Sequence, residues 1–445
     1  MSNDLVRRYG SLPVPRYTSY PTAAEFSPEV GASDHENWLR RLDLGESVSV
    51  YLHVPYCRQL CHYCGCHTKV ARRDEVVQRY RESLEAEIAL ASRHLQGRLR
   101  VARLHWGGGT PSILGPDGLA SVMDVLSRHA VFEDGFEHAI ELDPRYVDET
   151  LAQGLAAIGV NRASLGVQDL DAQVQVAIGR VQPLETVEKA AGLLRAAGIE
   201  RLNFDLMYGL PHQTVASVRA TCAKVLALRP ERIACYGYAH MPRRKAQQRL
   251  IDEAALPGAE ERFLQSQAVA EEFTGNGYVA IGLDHFGRPD DPLAAASRSG
   301  QLHRNFQGYT DDDRPVLIGF GASAISQLPE GYIQNVADIG TYMRSIAEGR
   351  LASVRGYRLT SDDRARGSII ETLMCNFRVD LSTHAVRGAY TNELALLRPL
   401  AEDGLITLED ETVAVTEAGR PFVRLAASAF DRFRAADVAR FSPAV

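Results

Sequence analysis

The chain has 445 residues, 45% of them apolar and 24% charged, with a formal net charge of -7. These proportions fit a globular protein with one large α/β domain and a smaller companion, and an acidic balance without a basic tract argues against nucleic acid as a main partner. Met1 to Arg8 lack the apolar core of a signal peptide and no apolar run is long enough to span a bilayer, so a cytoplasmic protein with no membrane attachment is expected.

In chain order, residues 1–45 contain Pro15-Arg-Tyr-Thr-Ser-Tyr-Pro-Thr22, whose prolines disfavour a long helix and predict an extended arm over the main domain. Short β-branched runs then alternate with longer segments of helical spacing. The expected strands are Ser47–Val54, Val101–His105, Ala139–Leu142, Arg162–Gly166, Arg201–Leu206 and Arg232–Tyr236. The expected helices between them include Asp74–Leu95, Leu119–His129 and Thr186–Ala197. Strand–helix alternation implies a parallel sheet with helices outside, and six units suit an incomplete (β/α)6 TIM-like barrel better than a closed eight-fold one. Residues 46–350 are read as this catalytic domain. In residues 351–445, helical patterns at Asp362–Cys375 and Tyr390–Glu402, a hairpin at Gly404–Thr416 and a helix at Glu417–Ala435 predict a small, mostly helical, wing-like C-terminal domain.

The chain has seven cysteines. Cys222, Cys235 and Cys375 are dispersed and read as small buried apolar side chains. Four others lie between Cys57 and Cys66, and an odd total packed this way does not describe a disulfide framework. Cys57, Cys61 and Cys64 are spaced so that one short loop can wrap an iron–sulfur cluster, each thiolate taking one iron and leaving a fourth iron open. Zinc is the competing reading, because Cys66, His62 and His67 can complete a tetrahedral site.

The remaining polar motifs fall at strand ends, where barrel active sites are built. The cysteine loop follows the first strand, Trp106-Gly-Gly-Gly-Thr-Pro111 the second, Glu141 ends the third, Gln168 follows the fourth, and Asp205 lies near the end of the fifth. Gly107–Gly109 allow backbone to approach a ligand, or simply make a tight turn. Glu141 and Asp205 suit ammonium or ribose hydroxyl groups; each alone equally suits an ordinary salt bridge. Leu302-His-Arg-Asn-Phe-Gln-Gly-Tyr309 mixes groups that suit a flat, acidic substrate, and the same composition fits a plain capping loop.

Taken together, His53-Val-Pro-Tyr-Cys57, Tyr63-Cys-Gly-Cys66, Gly107-Gly-Gly-Thr-Pro111, Glu141-Leu-Asp-Pro144, Asn161-Arg-Ala-Ser-Leu-Gly-Val-Gln168, Asp205-Leu-Met-Tyr-Gly-Leu-Pro211, Tyr238-Ala-His-Met-Pro242 and His303-Arg-Asn-Phe-Gln-Gly-Tyr309 resemble the oxygen-independent coproporphyrinogen III oxidases of the radical S-adenosylmethionine superfamily over nearly the whole chain. The resemblance implies a three-quarter (β/α)6 barrel and a [4Fe-4S] cluster on Cys57, Cys61 and Cys64. It implies two S-adenosylmethionine molecules, the first held by Tyr51, Gly108, Glu141 and Ile325. The second would touch Tyr63, Gly109, Thr110, Gln168, Arg180, Asp205 and Ala239. It assigns Cys66 a catalytic role without cluster ligation. His67 stands where the family usually carries Asn, and Met241 where it carries another apolar residue; neither is a proposed ligand. The implied reaction converts two propionates of coproporphyrinogen III to vinyl groups through 5′-deoxyadenosyl radicals, giving protoporphyrinogen IX. The implied partners are this substrate and a low-potential electron donor such as flavodoxin or ferredoxin, with the chain itself a monomer. Arg16 and Arg304 are candidates for the substrate carboxylates. Two other readings remain: a haem-binding or haem-trafficking relative without oxidase activity, and a zinc-stabilised scaffold. Cys66 and the Pro15–Thr22 arm stand against the first.

Overall fold

The computed structural model describes residues 3–384, 388–434 and 444. Its largest element is a twelve-stranded sheet. The first six strands are β1 (Ser47–Val54), β2 (Leu99–Gly108), β3 (Ala130–Leu142), β4 (Arg162–Gln168), β5 (Arg201–Tyr208) and β6 (Arg232–Gly237). They lie side by side in chain order and all pair parallel. A parallel neighbour requires a crossover, and the helices Asp74–Ser92, Gly115–His129, Glu149–Ala157, Leu184–Ala196 and Val215–Ala227 supply one between each successive pair.

The order of the whole sheet follows once the remaining strands are added. These are β7 (Val279–Ile281), β8 (His285–Gly287), β9 (Leu317–Phe320), β10 (Ile325–Leu328), β11 (Gly331–Asn335) and β12 (Ser353–Arg358). The order is β12-β11-β10-β9-β1-β2-β3-β4-β5-β6-β8-β7. β9 pairs parallel with β1, whereas β8 pairs antiparallel with β6. β1 keeps its expected bounds, whereas β2 and β4 came out longer than their sequence signals, because Trp106, Gly107, Gly108 and Gln168 continue the ladder instead of following it. β12 also lies beyond the residue-350 division yet forms the edge of this sheet.

Side-chain alternation sorts the sheet into two faces. Val50 and Leu52, Leu104 and Trp106, Leu165 and Val167, Leu202 and Phe204 turn toward the helices and are buried in one apolar core. From the Asp74–Ser92 helix, Val77, Tyr80, Leu84 and Ile88 meet them at three- and four-residue spacing. The intervening strand positions, among them His105, Glu141, Ser164, Asn203, Asp205 and Tyr236, line a cavity on the other face.

The arm differs from the extended segment expected. Asn3–Tyr9 and Ala32–Arg41 are helices flanking the proline-containing stretch. The first has Asp4 in its opening turn and Arg7 and Arg8 in its last, each complementing the helix dipole, and the prolines come only after it ends. Tyr9, Val14, Tyr17 and Tyr20 are buried with Leu373, Phe422 and Phe430 of the C-terminal region. Trp38 and Leu39 instead join the main core.

The C-terminal region contains the helices Ser361–Asn376 and Thr391–Glu402 and the hairpin Ile406–Glu409 with Thr412–Val415. Arg378–Asp380 adds a third strand that sequence patterning missed. The expected helix Glu417–Ala435 is broken: a short 3-10 turn, Arg420–Phe422, precedes a single α segment, Val423–Ser428. Gly419 and Pro421 interrupt it, one lacking a side chain and the other lacking an N–H. Ala435 lies outside the described residues. No described helix is long and apolar enough to cross a membrane.

Candidate functional site

One cavity of about 740 Å³ opens at the C-terminal ends of β1–β6. Its wall on the β1 side is the cysteine loop, tied down by backbone bonds from Lys69 N–H to the Pro55 carbonyl (2.9 Å) and Ala71 N–H to the Cys57 carbonyl (3.0 Å). Thr110 Oγ1 lies 3.3 Å from Cys57 Sγ, and Thr68 Oγ1 is also 3.3 Å away. Arg180 donates to Cys61 Sγ at 3.6 Å. Burial pushes the Cys57 thiol up. A hydrogen bond from Cys66 brings Cys64 down to about 7 and raises Cys66 itself. None of these cysteines is in a disulfide.

Three sulfurs on one short loop suit a cluster in which each thiolate takes a separate iron. Among the described residues, no three His, Cys, Asp or Glu side chains converge closely enough to hold one ion.

The glycine strip behind the loop is a cradle that side chains would fill. A Cβ on Gly109 would lie 2.5 Å from the Tyr56 carbonyl, and Gly108 has φ +110° with the His53 ring 2.6 Å from where its Cβ would stand. The Gly108 N–H donates to Glu141 Oε2 at 3.2 Å, and His105 donates to Glu141 Oε1 at 3.1 Å. Burial alone raises the Glu141 carboxyl, but these bonds and the neighbouring His105 more than offset it and hold it below the usual carboxylate range. Asp205 shows the opposite balance. It accepts from Ser164 Oγ (2.6 Å) and Asn203 Nδ2 (2.8 Å), yet burial dominates and pushes it up to about 6.

Arg180 is buried and uses most of its fork: Nη2 on the Gly166 carbonyl (2.8 Å), Nε on Gln182 (3.1 Å) and Nη1 facing Asp143 (3.3 Å). Gln168, at the end of β4, adopts φ +65°, a left-handed geometry rare outside glycine and frequent at functional sites. The Ala239 carbonyl accepts from Gln248 at 3.2 Å.

Of the candidate residues, the four loop cysteines, Tyr63, Gly108, Gly109, Thr110, Glu141, Gln168, Arg180, Asp205 and Ala239 line this cavity. Tyr51 and Ile325 are not among its lining residues. Tyr51 sits behind Gly107 with its hydroxyl 3.1 Å from His53 Nδ1. His53 Nε2 faces the His67 carbonyl at 3.2 Å; a carbonyl only accepts, so Nε2 carries the proton and Nδ1 accepts from Tyr51. Ile325 opens β10, its carbonyl packed against Gly319.

Two groups escaped sequence reasoning. Lys245, Gln247 and Gln248 donate to the carbonyls of Cys66 (3.0 Å), Cys64 (2.6 Å) and Tyr63 (2.8 Å), bracing the far half of the loop; no local pattern marks them. At the cavity floor, Arg162 donates to Glu137 at 3.0 Å and Arg232 to Asp291 at 2.7 Å. Charged residues at inward positions of β3, β4 and β6 were the available signal for this seal.

Comparison with known proteins gives a consistent picture. Residues 51–225 match a family model described as "Radical SAM superfamily", and residues 359–422 one described as "HemN C-terminal domain". An oxygen-independent coproporphyrinogen III oxidase of Bradyrhizobium diazoefficiens is 47% identical over 97% of both chains. One from Pseudomonas aeruginosa is 40% identical over 97% of this chain and 95% of its own. Among solved structures, "Coproporphyrinogen III oxidase (HemN) from Escherichia coli is a Radical SAM enzyme" aligns with a TM-score of 0.90 and 38% identity, covering 94% of this chain and 97% of that one.

Proposed function

This chain belongs to the oxygen-independent coproporphyrinogen III oxidases of the radical SAM superfamily, and we propose that its 740 Å³ cavity is where two propionate side chains of coproporphyrinogen III are oxidatively decarboxylated to vinyl groups. The observation that carries this is the convergence on one cavity of the cysteine loop, the glycine cradle, Glu141, Arg180 and Asp205. When bound, the cluster and S-adenosylmethionine would supply the radical chemistry that activates a propionate C–H bond.

The chain's own residues hold and orient these groups. Cys57, Cys61 and Cys64 supply the three thiolates. Gly108 and Glu141 offer a carbonyl and a carboxylate to the amino acid end and ribose of a first S-adenosylmethionine, with Tyr51 and Ile325 shaping the pocket from behind. Tyr63, Gly109, Thr110, Gln168, Arg180, Asp205 and Ala239 surround the place of a second. Cys66 stands beside Cys64 without joining the cluster and serves as a catalytic residue near the two cofactors. A closed, water-poor site protects a radical from side reactions; the arm and the C-terminal domain provide that closure, and the six strands form the staves of an incomplete (β/α)6 barrel. We assign the arm to residues 1–45, the catalytic domain to 46–350 together with the edge strand β12, and the C-terminal domain to the remainder of 351–445. The protein acts in the cytoplasm as a monomer served by a flavodoxin- or ferredoxin-like donor.

Anaerobically reconstituted protein is expected to release 5′-deoxyadenosine and vinyl product only when coproporphyrinogen III, S-adenosylmethionine and reductant are all present. Replacing Cys57, Cys61 or Cys64 by Ala removes both products. Turnover surviving in such a variant overturns the reading, and tight haem binding without decarboxylation favours a carrier instead.

A further inference from the structure

On the cavity side away from the glycine cradle, three arginines from distant parts of the chain gather around β6 and the arm. Arg16 is exposed, lines the cavity and donates to the Gly237 carbonyl at 3.1 Å. Arg304 donates to the carbonyls of Tyr17 (3.1 Å) and Arg16 (3.2 Å) and lies 4.3 Å from the Tyr309 ring centre. Arg262 donates to the Tyr238 carbonyl at 2.8 Å. All of these bonds go to neutral backbone oxygens. Among the described residues none of the three has an ion pair, and Arg304 Nη1 and Arg262 Nε are buried without a hydrogen-bond partner. Two carboxylates stand nearby without an ion pair to any of the three: Asp284, bonded to His285 Nδ1 at 2.7 Å, and Glu371, which accepts from the Arg304 backbone N–H at 3.1 Å.

Like charges brought together in a partly buried site destabilise the folded chain unless an anion joins them. Arg262 shows that tension: burial and the field of Arg16 hold its guanidinium below its ordinary value. A fourth guanidinium, Arg424, is held down to about 10 by burial first and Arg16 second. The chain carries a net charge of -7, so a local positive concentration at a cavity wall is not a reflection of overall composition. The planar fork of arginine suits carboxylates, which it can bind through two parallel bonds.

We propose that Arg16 is a substrate-carboxylate contact, with Arg304 as the positioning residue that fixes the arm and Arg262 adding positive charge behind the wall that Arg16 lines. The inference rests on the porphyrinogen reading above: one propionate docks on Arg16 and thereby sets which other propionate faces the radical source. Arg304 acts by holding the consecutive carbonyls of Arg16 and Tyr17, so the contact arginine is presented only when the arm is seated.

The test uses the reconstituted holoenzyme and two probes, coproporphyrin III and its tetramethyl ester, which lacks the carboxylate charges. Unmodified protein is expected to bind the tetra-acid about tenfold more tightly than the ester, with the difference shrinking as salt rises. Arg16→Gln is expected to raise the KM for coproporphyrinogen III about tenfold and to bind the ester as unmodified protein does, while Arg16→Lys recovers part of the loss. A merely structural role weakens acid and ester alike, and that result overturns the proposal. So does equal binding of the two probes by unmodified protein, or an Arg16→Gln defect confined to S-adenosylmethionine. Absence of vinyl product from unmodified holoenzyme defeats the functional reading itself, whereas turnover with an unchanged KM in Arg16→Gln defeats only this inference.

Discussion

Arg180 Nη1 lies 3.6 Å from Cys61 Sγ while Nη2 of the same guanidinium is bonded to the Gly166 carbonyl at 2.8 Å. One buried side chain therefore joins the cysteine loop after β1 to the end of β4. Arg180→Lys keeps the charge but cannot reach all these partners, because an ammonium is a point donor without a fork. The expected outcome is a loss of about 1–3 kcal/mol in stability and less iron retained per chain, checked by denaturant unfolding and by iron and sulfide analysis. Full iron content together with unchanged stability contradicts this account.

Gly108 cannot carry a side chain. Its φ of +110° and the His53 ring, 2.6 Å from the Cβ position, combine backbone strain with a direct clash. Gly108→Ala is expected to cost about 1–3 kcal/mol in strain and to displace the His53 ring that bonds Tyr51. Calorimetry of S-adenosylmethionine binding is expected to show affinity lower by about tenfold. The iron content of the variant stays at the level of the unmodified protein, because no cysteine is touched.

The arm is fastened to the C-terminal region by Tyr17, whose hydroxyl donates to Asp431 at 2.9 Å in a buried setting. Tyr17→Phe removes that donor and leaves the carboxylate with one fewer bond. A loss of about 1–3 kcal/mol is expected in urea unfolding, with faster proteolysis before residue 20.

Glu87 makes stability depend on pH. Its carboxylate accepts from Tyr342 (2.7 Å), Asn335 (2.5 Å) and the Gly321 N–H (2.6 Å), yet burial dominates and pushes it from 4.5 up to about 7. The folded state therefore binds the proton more tightly than the unfolded chain. Stability is greatest below pH 4.5, falls as the pH rises toward 7 and then levels, a swing of about 3 kcal/mol from this group. Glu87→Gln stays neutral throughout. Its unfolding free energy, measured at several pH values, is expected to lack this component even though the amide fits the surrounding donors less well.

Much of the site was legible because it is local. The spacing of Cys57, Cys61 and Cys64 is set by a handful of peptide units, and Gly107–Gly109 immediately follow the strand segment Val101–Trp106. The arm misled because its prolines occupy only the middle; a short helix before them, Asn3–Tyr9, left no long periodic signal. The helix expected at Glu417–Ala435 failed at Pro421, whose disruption outweighed the apolar periodicity around it.

By itself the sequence determined the strand–helix alternation, the two faces of each strand and the group of motifs at strand ends, since a period of two sends successive side chains to opposite sides. Only the tertiary structure decided that Tyr51 and Ile325 stand behind the cavity lining and that Lys245, Gln247 and Gln248 brace the loop. It also decided that Arg304 holds the backbone of Arg16, which lines the cavity, and that Arg262 stands nearby on the Tyr238 carbonyl. Those juxtapositions join residues tens to hundreds of positions apart, and such distances are set by how helices and arm pack on the sheet, which no local pattern encodes.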